Sequence, residues 1–130
     1  MRYDMRVRYI ATRGKKKGVN RLALSSDILR GYTDAIILCQ LAEGDSYGYQ
    51  INKNVSELSG GTFELKEATL YTAFRRLESG GYIQSYWGDE LSGARRRYYA
   101  ITAAGREKLN DEKAAWQETK KQLDQLLMEG

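Results

Sequence analysis

The amino-acid sequence predicts a mostly helical α+β domain in which three helices, a β-hairpin and a long final helix follow one another. Three patterns support this prediction. Apolar residues recur at helical spacing in three segments between residues 25 and 79, and a glycine follows each segment. Aromatic and β-branched residues flank a glycine-containing turn near residue 90, as they do in hairpins. Residues 102–128 begin with threonine and carry apolar side chains seven residues apart.

Length and composition limit the classes of protein that this chain can be. Its 130 residues can bury one modest core, so we expect a single site or surface. No window approaches the roughly 18 uninterrupted apolar residues of a membrane span, so we expect a soluble protein without a membrane partner. The single cysteine, Cys39, fits a reducing cytoplasm. Because histidine is absent and carboxylates do not cluster at metal-binding spacing, we expect neither an enzyme nor a bound cofactor or metal.

The basic charge is concentrated at the start of the chain. The net charge is +4, yet residues 1–21 hold eight basic residues against one acidic residue, so the remainder is acidic overall. Residues 1–24 show no sustained helical period and are predicted to form a flexible basic extension. This extension is either without function or an arm that binds DNA phosphates without reading sequence. The main domain is predicted over residues 25–101 and a C-terminal helix over 102–130.

A buried first helix is predicted from Ser25 to the stop signal at Gly44. Its apolar face carries Ile28, Leu29, Tyr32, Ile36, Cys39 and Leu41. Because Cys39 lies within this face and the chain has no histidine to activate it, a small core residue is favoured over a nucleophile.

Two further helices are predicted before the hairpin. The second begins after Ser46, its predicted N-cap, and ends at the glycine pair 60–61. Its inner face carries Tyr47, Ile51, Val55 and Leu58. The third spans residues 67–79, and its inner face carries Leu70, Ala73, Phe74 and Leu77. Lys66 stands at its cap position although an ammonium group cannot accept a hydrogen bond from the free N–H groups.

A β-hairpin is predicted from residues 82–87 and 95–101, joined by a turn over 88–94. Alternate side chains of a strand face opposite sides of the sheet. One face should carry Arg95, Arg97, Tyr99 and Ile101, and the other Arg96, Tyr98 and Ala100. The three consecutive arginines are therefore divided, and we expect one or two to meet phosphate while the others brace the hairpin.

This order of elements is that of a winged helix-turn-helix, followed by a long C-terminal helix. In this fold the third helix enters the major groove of double-stranded DNA, and the hairpin, or wing, reaches the flanking backbone or minor groove. The outer face of the third helix carries Tyr71, Thr72, Arg75 and, at its margin, Arg76. Hydroxyl and guanidinium groups at these positions can bond phosphates or base edges. Periodicity alone is equally consistent with the solvated side of an amphipathic helix.

Specific motifs in this region resemble those of a known family. Residues 68–105 contain TLY in the third helix, RLESGGYI before the wing, and GARRRYYAITAAG at its end. Together with SYGYQI at 46–51, these motifs resemble the PadR family of bacterial transcriptional regulators, and most closely its compact, multidrug-binding branch. The similarity covers residues 26–128. Thr72 replaces the proline that many larger members carry after TLY, which favours the compact branch.

The resemblance implies a cytoplasmic bacterial homodimer that represses a promoter until a ligand binds. Its implied DNA contacts are the four outer-face residues of the third helix, together with Arg95, Arg96, Arg97 and Tyr47. The last helix would form the dimer interface through Leu109, Trp116, Leu123, Leu126 and Leu127. A small hydrophobic or planar aromatic effector would stack between the two copies of Trp116, beside Leu109 and Ala115.

The spacing within the last helix does not by itself establish these roles. Thr102 is its predicted N-cap, and the apolar stripe is too sparse for a coiled coil because the intermediate positions 112 and 119 are polar. A tryptophan in such a stripe is more often ordinary packing than a ligand site, although indole rings stack well on flat cations and aromatics. Two alternatives to a repressor therefore stay open: a winged-helix protein-interaction module, and a ligand-binding protein without DNA binding.

Overall fold

The computed structural model of the chain describes residues 27–88 and 95–128. After a helical turn at 27–30, these residues form α1 (Thr33–Ala42), α2 (Gly48–Leu58), α3 (Glu67–Ser79), β1 (Ile83–Trp87), β2 (Arg97–Ile101) and α4 (Ala103–Leu127). The predicted fold class, mostly helical with a small hairpin and a long final helix, is confirmed. The predicted basic extension over 1–24 and positions 89–94 of the predicted wing turn lie outside the described residues.

The predicted first helix is interrupted at Gly31 and Tyr32. The Gly31 amide donates to the Ile28 carbonyl over 3.1 Å, and the Tyr32 amide donates to the Leu29 carbonyl over 2.8 Å. Bonds to the third preceding residue tighten and end a helical segment, and α1 then begins at Thr33. The prediction of one continuous helix is therefore wrong, because apolar spacing does not reveal a local change of hydrogen-bond pattern.

The break also changes which side of α1 is buried. Its buried residues are Thr33, Ile37, Leu38 and Leu41, and only the last of these belongs to the predicted face. Ile36 and Cys39 pack at the edge of the core, and Ile28 is 65% exposed. The predicted apolar face is thus not the core face, and most of it lines the groove described below.

A β-bridge positions the start of α2. The prediction that Ser46 is the N-cap is wrong, because α2 begins at Gly48 without a side-chain cap hydrogen bond. Ser46 instead pairs with Tyr99: the Tyr99 amide donates to the Ser46 carbonyl over 2.8 Å, and the Ser46 amide donates back over 3.2 Å. The loop before α2 is therefore tied to the wing. Of the predicted inner face, Ile51 and Val55 are buried and Leu58 is 47% exposed.

The predictions for α3 and for an antiparallel pair of strands after it are confirmed, although β2 begins at Arg97 and not at the predicted residue 95. The helix spans Glu67–Ser79 and buries the four predicted residues. β1 and β2 are antiparallel, with Ile83 opposite Ile101 and Trp87 opposite Arg97. The ring of Tyr99, which is 4% exposed, stacks on the buried ring of Phe74 at a centroid distance of 3.9 Å. This stack packs the wing directly against α3.

The long helix α4 is joined to the wing by a predicted cap and by a close backbone approach. The Thr102 hydroxyl accepts from the Gly105 amide over 3.0 Å and donates to the Gly81 carbonyl over 2.7 Å. A Cβ at Gly105 would lie 2.2 Å from the Tyr82 carbonyl oxygen, so only glycine fits here. The cap and the missing side chain together fix the direction in which α4 leaves the domain.

Candidate DNA-binding surface and apolar groove

The outer side of α3 presents a polar, exposed stripe. Tyr71, Thr72 and Arg75 are all exposed, and 39% of the Tyr71 surface is accessible. The Arg75 guanidinium donates to the Thr72 hydroxyl over 3.4 Å. The stripe lies opposite the buried face that holds Leu70 and Phe74, as the periodicity predicts. Its side chains, with their hydroxyl and guanidinium groups, are therefore exposed toward a ligand outside the domain.

The ring of Tyr71 is oriented by two neighbours. It packs edge-on against Phe74 with centroids 5.4 Å apart. Its hydroxyl end lies over Gly48, the first residue of α2, where a Cβ would be only 2.6 Å from Tyr71 Oη. The glycine of the SYGY motif therefore provides the space for this side chain, a role that the sequence reasoning missed.

Asn52 links α2 to the segment that precedes α3, a role that the sequence reasoning also missed. Its side-chain amide donates to the Leu65 carbonyl over 2.7 Å and accepts from the Leu65 amide over 2.9 Å. These two bonds hold the chain in an extended form up to Lys66, which precedes α3 and makes no side-chain cap bond. A single asparagine between apolar positions carries no sequence signal for this long-range role.

Arg76 is engaged within the domain. Its Nε donates to Asp34 Oδ2 over 3.2 Å, and its Nη2 donates to Asp34 Oδ1. The hydrogen bond and the charge of Asp34 raise the pKa of Arg76 above its already high ordinary value, although desolvation opposes this. Asp34 lies in the first turn of α1. The predicted marginal position of Arg76 thus corresponds to a side chain that joins α3 to α1.

The inner face of the wing is linked to the end of α3. Arg97 Nη2 donates to Ser85 Oγ over 2.8 Å, and Ser85 Oγ donates to Glu78 Oε2 over 2.6 Å. Arg97 Nη2 lies 3.8 Å from Glu78 Oε1. The guanidinium groups of Arg95 and Arg97 both lie over the ring of Trp87. These contacts agree with the prediction that alternate arginines share one face, and they place Arg97 as a brace.

The outer face of the wing carries the remaining arginine. Arg96 lies over the ring of Tyr47 at 4.7 Å, and Tyr47 packs edge-on against Tyr98. Tyr98 in turn stacks with Tyr86. The Tyr86 hydroxyl donates to Asp45 over 2.6 Å, and this bond raises the pKa of Tyr86. Tyr47, predicted both as an inner-face residue and as a DNA contact, is half-buried beneath Arg96.

An apolar groove of about 590 Å³ opens between α4 on one side and the helical turn at 27–30, α1 and the end of α2 on the other. Its apolar lining includes Ile28, Leu29, Tyr32, Ile36, Cys39, Val55, Leu58, Phe63, Leu109 and Trp116. Trp116 is 40% exposed and meets Tyr32 edge-on at 5.5 Å. Of the predicted ligand-binding residues, Trp116 and Leu109 line this groove, whereas Ala115 is exposed and lies outside it.

The end of α4 carries an exposed apolar surface. Leu123, Leu126 and Leu127 are 45%, 78% and 74% exposed, and Met128 is 76% exposed. Leucines at this exposure leave apolar surface in contact with water, and contiguous patches of this kind mark interaction sites. The predicted interface residues therefore lie together on an uncovered face, except for Leu109, which is 4% exposed and belongs to the core.

The described parts of the chain hold neither a cluster of metal-ligating side chains nor a membrane-spanning helix. Within residues 27–88 and 95–128, no group of three or more His, Cys, Asp or Glu side chains could hold a metal ion. None of the helices in these ranges is long and apolar enough to cross a membrane.

Comparisons with known proteins agree with this architecture. Residues 37–111 match the family described as "Transcriptional regulator PadR-like family". A Lysinibacillus sphaericus protein called "Uncharacterized protein X" is 45% identical over 105 residues, which cover 81% of this chain and 95% of that protein.

Solved structures give the same result. A transcriptional regulator from Clostridium thermocellum is 46% identical with a TM-score of 0.72, and the match covers 78% of this chain and 98% of that chain. A PadR family transcription regulator from Clostridium difficile is 42% identical with a TM-score of 0.67, covering 74% and 98%. The chain therefore belongs to the PadR-like family of transcriptional regulators, whose members are DNA-binding repressors and not enzymes.

Proposed function

We propose that this chain is a cytoplasmic bacterial repressor that binds a palindromic operator as a homodimer and responds to a hydrophobic or planar aromatic effector. The observation that carries the proposal is the exposed stripe of α3 beside the arginines of the wing. A helix with an exposed polar stripe fits the major groove, and an adjacent basic hairpin can meet the flanking phosphates. Proteins with such a surface can combine base reading with backbone contacts.

The proposed DNA contacts divide into readers, phosphate contacts and braces. Tyr71, Thr72 and Arg75 read the major groove, since their polar ends are exposed on one side of α3. Arg95 and Arg96 contact the DNA phosphates beside the major groove. The remaining predicted contacts act mainly as braces: Arg76 is held by Asp34, Arg97 by Ser85 and Glu78, and Tyr47 lies beneath Arg96.

The proposed dimer uses α4, and the proposed effector site uses the groove beside it. Exposed leucines at the end of α4 would be covered by the same helix of a second copy, as in an isologous interface. The groove volume lies within the roughly 300–1,000 Å³ of small-molecule sites. A second Trp116 would then close the groove and form the other wall for a flat ligand. Such an arrangement would place the chain in the multidrug-binding branch that its motifs resemble.

The proposed switch is geometric. Two recognition helices of a dimer must match half-sites about one helical turn of DNA apart, which is roughly 34 Å. An effector between the α4 helices would change the separation of the two copies of α3, and so favour a state that no longer fits the operator. Structures with and without effector test this step, and an unchanged separation would contradict it.

Selection of bound duplexes from a random pool at physiological salt tests the proposed function. We expect a two-fold symmetric consensus, and Arg75→Gln should lower affinity for it by roughly ten- to a hundredfold, the range of one base contact. Lys121→Gln on exposed α4 removes the same charge away from both the proposed DNA surface and the stripe of Trp116 and Leu123, and should change little. A pool without enrichment, or equal losses in both variants, would refute operator binding by α3.

Tryptophan fluorescence tests the effector site. A flat aromatic ligand in the groove should quench Trp116, and Trp116→Ala should remove that quenching while Trp87 continues to emit. Quenching that survives Trp116→Ala would exclude the indole of Trp116 from the site.

A further inference from the structure

Trp87 ends β1 with 53% of its surface exposed and does not belong to the core cluster. Two guanidinium groups lie over its ring: that of Arg95 at 5.1 Å and that of Arg97 at 5.7 Å from the centroid. Both distances are within the roughly 6 Å of a cation–π contact. The ring therefore serves as a platform for two cations and not as part of the hydrophobic core.

A chain of contacts connects this platform to the recognition helix. Glu78 of α3 accepts from Ser85, Ser85 accepts from Arg97, and the Arg97 guanidinium lies over Trp87. The Glu78 carboxylate thus holds the Arg97 guanidinium from one side, and Arg97 in turn links Trp87 to α3. Arg95 is the last member of the series and the one nearest the end of the wing.

The backbone around Trp87 is also fixed. The Gly88 amide donates to the Arg96 carbonyl over 2.7 Å, so the antiparallel ladder continues one residue beyond Trp87. A Cβ at Gly88 would lie 2.4 Å from the Tyr98 ring, so the glycine permits this close packing. Trp87 and Arg95 are therefore neighbours where the hydrogen-bonded part of the hairpin ends.

We propose that Trp87 is a positioning residue for DNA binding, which holds the Arg95 guanidinium in place to meet a backbone phosphate. Stacking occupies the face of a guanidinium and leaves its N–H donors, which lie in the plane, available for phosphate oxygens. A side chain that is already ordered loses less conformational freedom when DNA binds. The inference rests on the proposed contact between the wing and DNA.

Phosphate contacts do not depend on sequence, so a fluorescently labelled duplex of mixed sequence is a suitable probe. Its affinity is measured by anisotropy between about 50 and 200 mM salt. Trp87→Leu should weaken binding about three- to tenfold, and Trp87→Phe should restore most of the loss because its ring also stacks on a guanidinium. Arg95→Gln should lower the slope of log affinity against log salt by about one.

Combining the variants isolates the positioning role. If Trp87 acts through Arg95, the double variant should bind no more weakly than Arg95→Gln alone. Arg96→Gln is the matched comparison, because Arg96 is the other proposed phosphate contact and lies over Tyr47 instead of Trp87, and its loss should multiply with that of Trp87→Leu. Multiplying losses for Trp87 and Arg95, or parent-like affinity and salt slope in Trp87→Leu, would overturn the inference.

A second measurement does not depend on the folding of the leucine variant. In a Trp116→Phe chain, Trp87 is the remaining tryptophan of the two. Its emission should change when the duplex binds, and Arg95→Gln should remove that change. If the duplex binds and the Trp87 emission does not change, the inference is refuted while the proposed function stands. If the parent chain binds no duplex at any salt, the proposed function and the inference are refuted together.

Discussion

Replacing Gly48 by alanine should displace Tyr71 without weakening the fold. A Cβ at position 48 would lie 2.6 Å from Tyr71 Oη and 3.2 Å from Cζ, and ordinary contact begins at 3.4 Å. The hydroxyl must therefore move from 2.6 to at least 3.4 Å, a shift of about 0.8 Å. Since the obstacle is the far end of a flexible, 39% exposed side chain, the ring can move outward. The shift moves the Tyr71 hydroxyl out of the position that its packing over Gly48 defines.

The expected effects on stability and on binding have different signs. Alanine is favoured over glycine in a helix by up to about 1 kcal/mol, so the free energy of unfolding should be unchanged or slightly higher. Loss of one hydroxyl hydrogen bond to DNA costs roughly 0.5–1.5 kcal/mol. Affinity for the selected operator should therefore fall up to about tenfold, since ~1.4 kcal/mol corresponds to a factor of ten.

Thermal unfolding and anisotropy titration of the same preparation test this separation. Gly31→Ala is the matched control, because a Cβ there meets only the Ile28 carbonyl at an ordinary 3.5 Å. Tyr71→Phe removes the hydroxyl directly, so adding Gly48→Ala to it should cost little more. Unchanged affinity in Gly48→Ala, or a full additional loss in the double variant, would refute the positioning of Tyr71 by Gly48.

Two further predictions concern the links between elements. Asp34→Asn and Arg76→Gln should each lower the free energy of unfolding by up to about 1 kcal/mol, as expected for a partly exposed ion pair. The two losses should not add in chemical denaturation, and a lower salt slope of DNA binding in Arg76→Gln would instead indicate a phosphate contact. Burial raises the pKa of Tyr99, although Arg97 opposes this shift. The stability that the neutral phenol contributes should therefore be complete below about pH 10, the ordinary pKa of tyrosine in the unfolded chain. This stability should be lost as the pH rises through the higher pKa of the folded state. Tyr99→Phe should flatten the fall in stability measured above about pH 10, and an unchanged slope would exclude Tyr99 as its source.

Elements defined by strong periodicity were predictable from the sequence. The bounds and inner face of α3 followed from apolar spacing between two clear breaks, and the threonine cap of α4 followed from its position before the helix. The two faces of the wing followed from the period of two in a strand. The exposed stripe of α3 is the complement of its buried face and was predictable for the same reason.

Irregular backbone hydrogen bonds and contacts between distant parts of the chain were not predictable. The break at Gly31 and the bridge between Ser46 and Tyr99 are backbone interactions that side-chain spacing does not register. The double hydrogen bond of Asn52 and the ion pair of Arg76 with Asp34 join residues far apart in sequence. Such a contact holds Arg76 within the domain, although its position on α3 alone would place it beside the exposed stripe.

The class of fold, the order of its elements and the residues that face outward on α3 all follow from local period and local capping, so they can be read from the chain alone. The partners of those residues depend on how separate elements pack. Packing places Gly48 beneath Tyr71 and the guanidinium groups of Arg95 and Arg97 over Trp87. It also leaves most of the predicted apolar face of the first helix lining a groove beside Trp116. Spacing along one chain segment specifies which side of an element is apolar, whereas the packing of separate elements specifies what that side contacts.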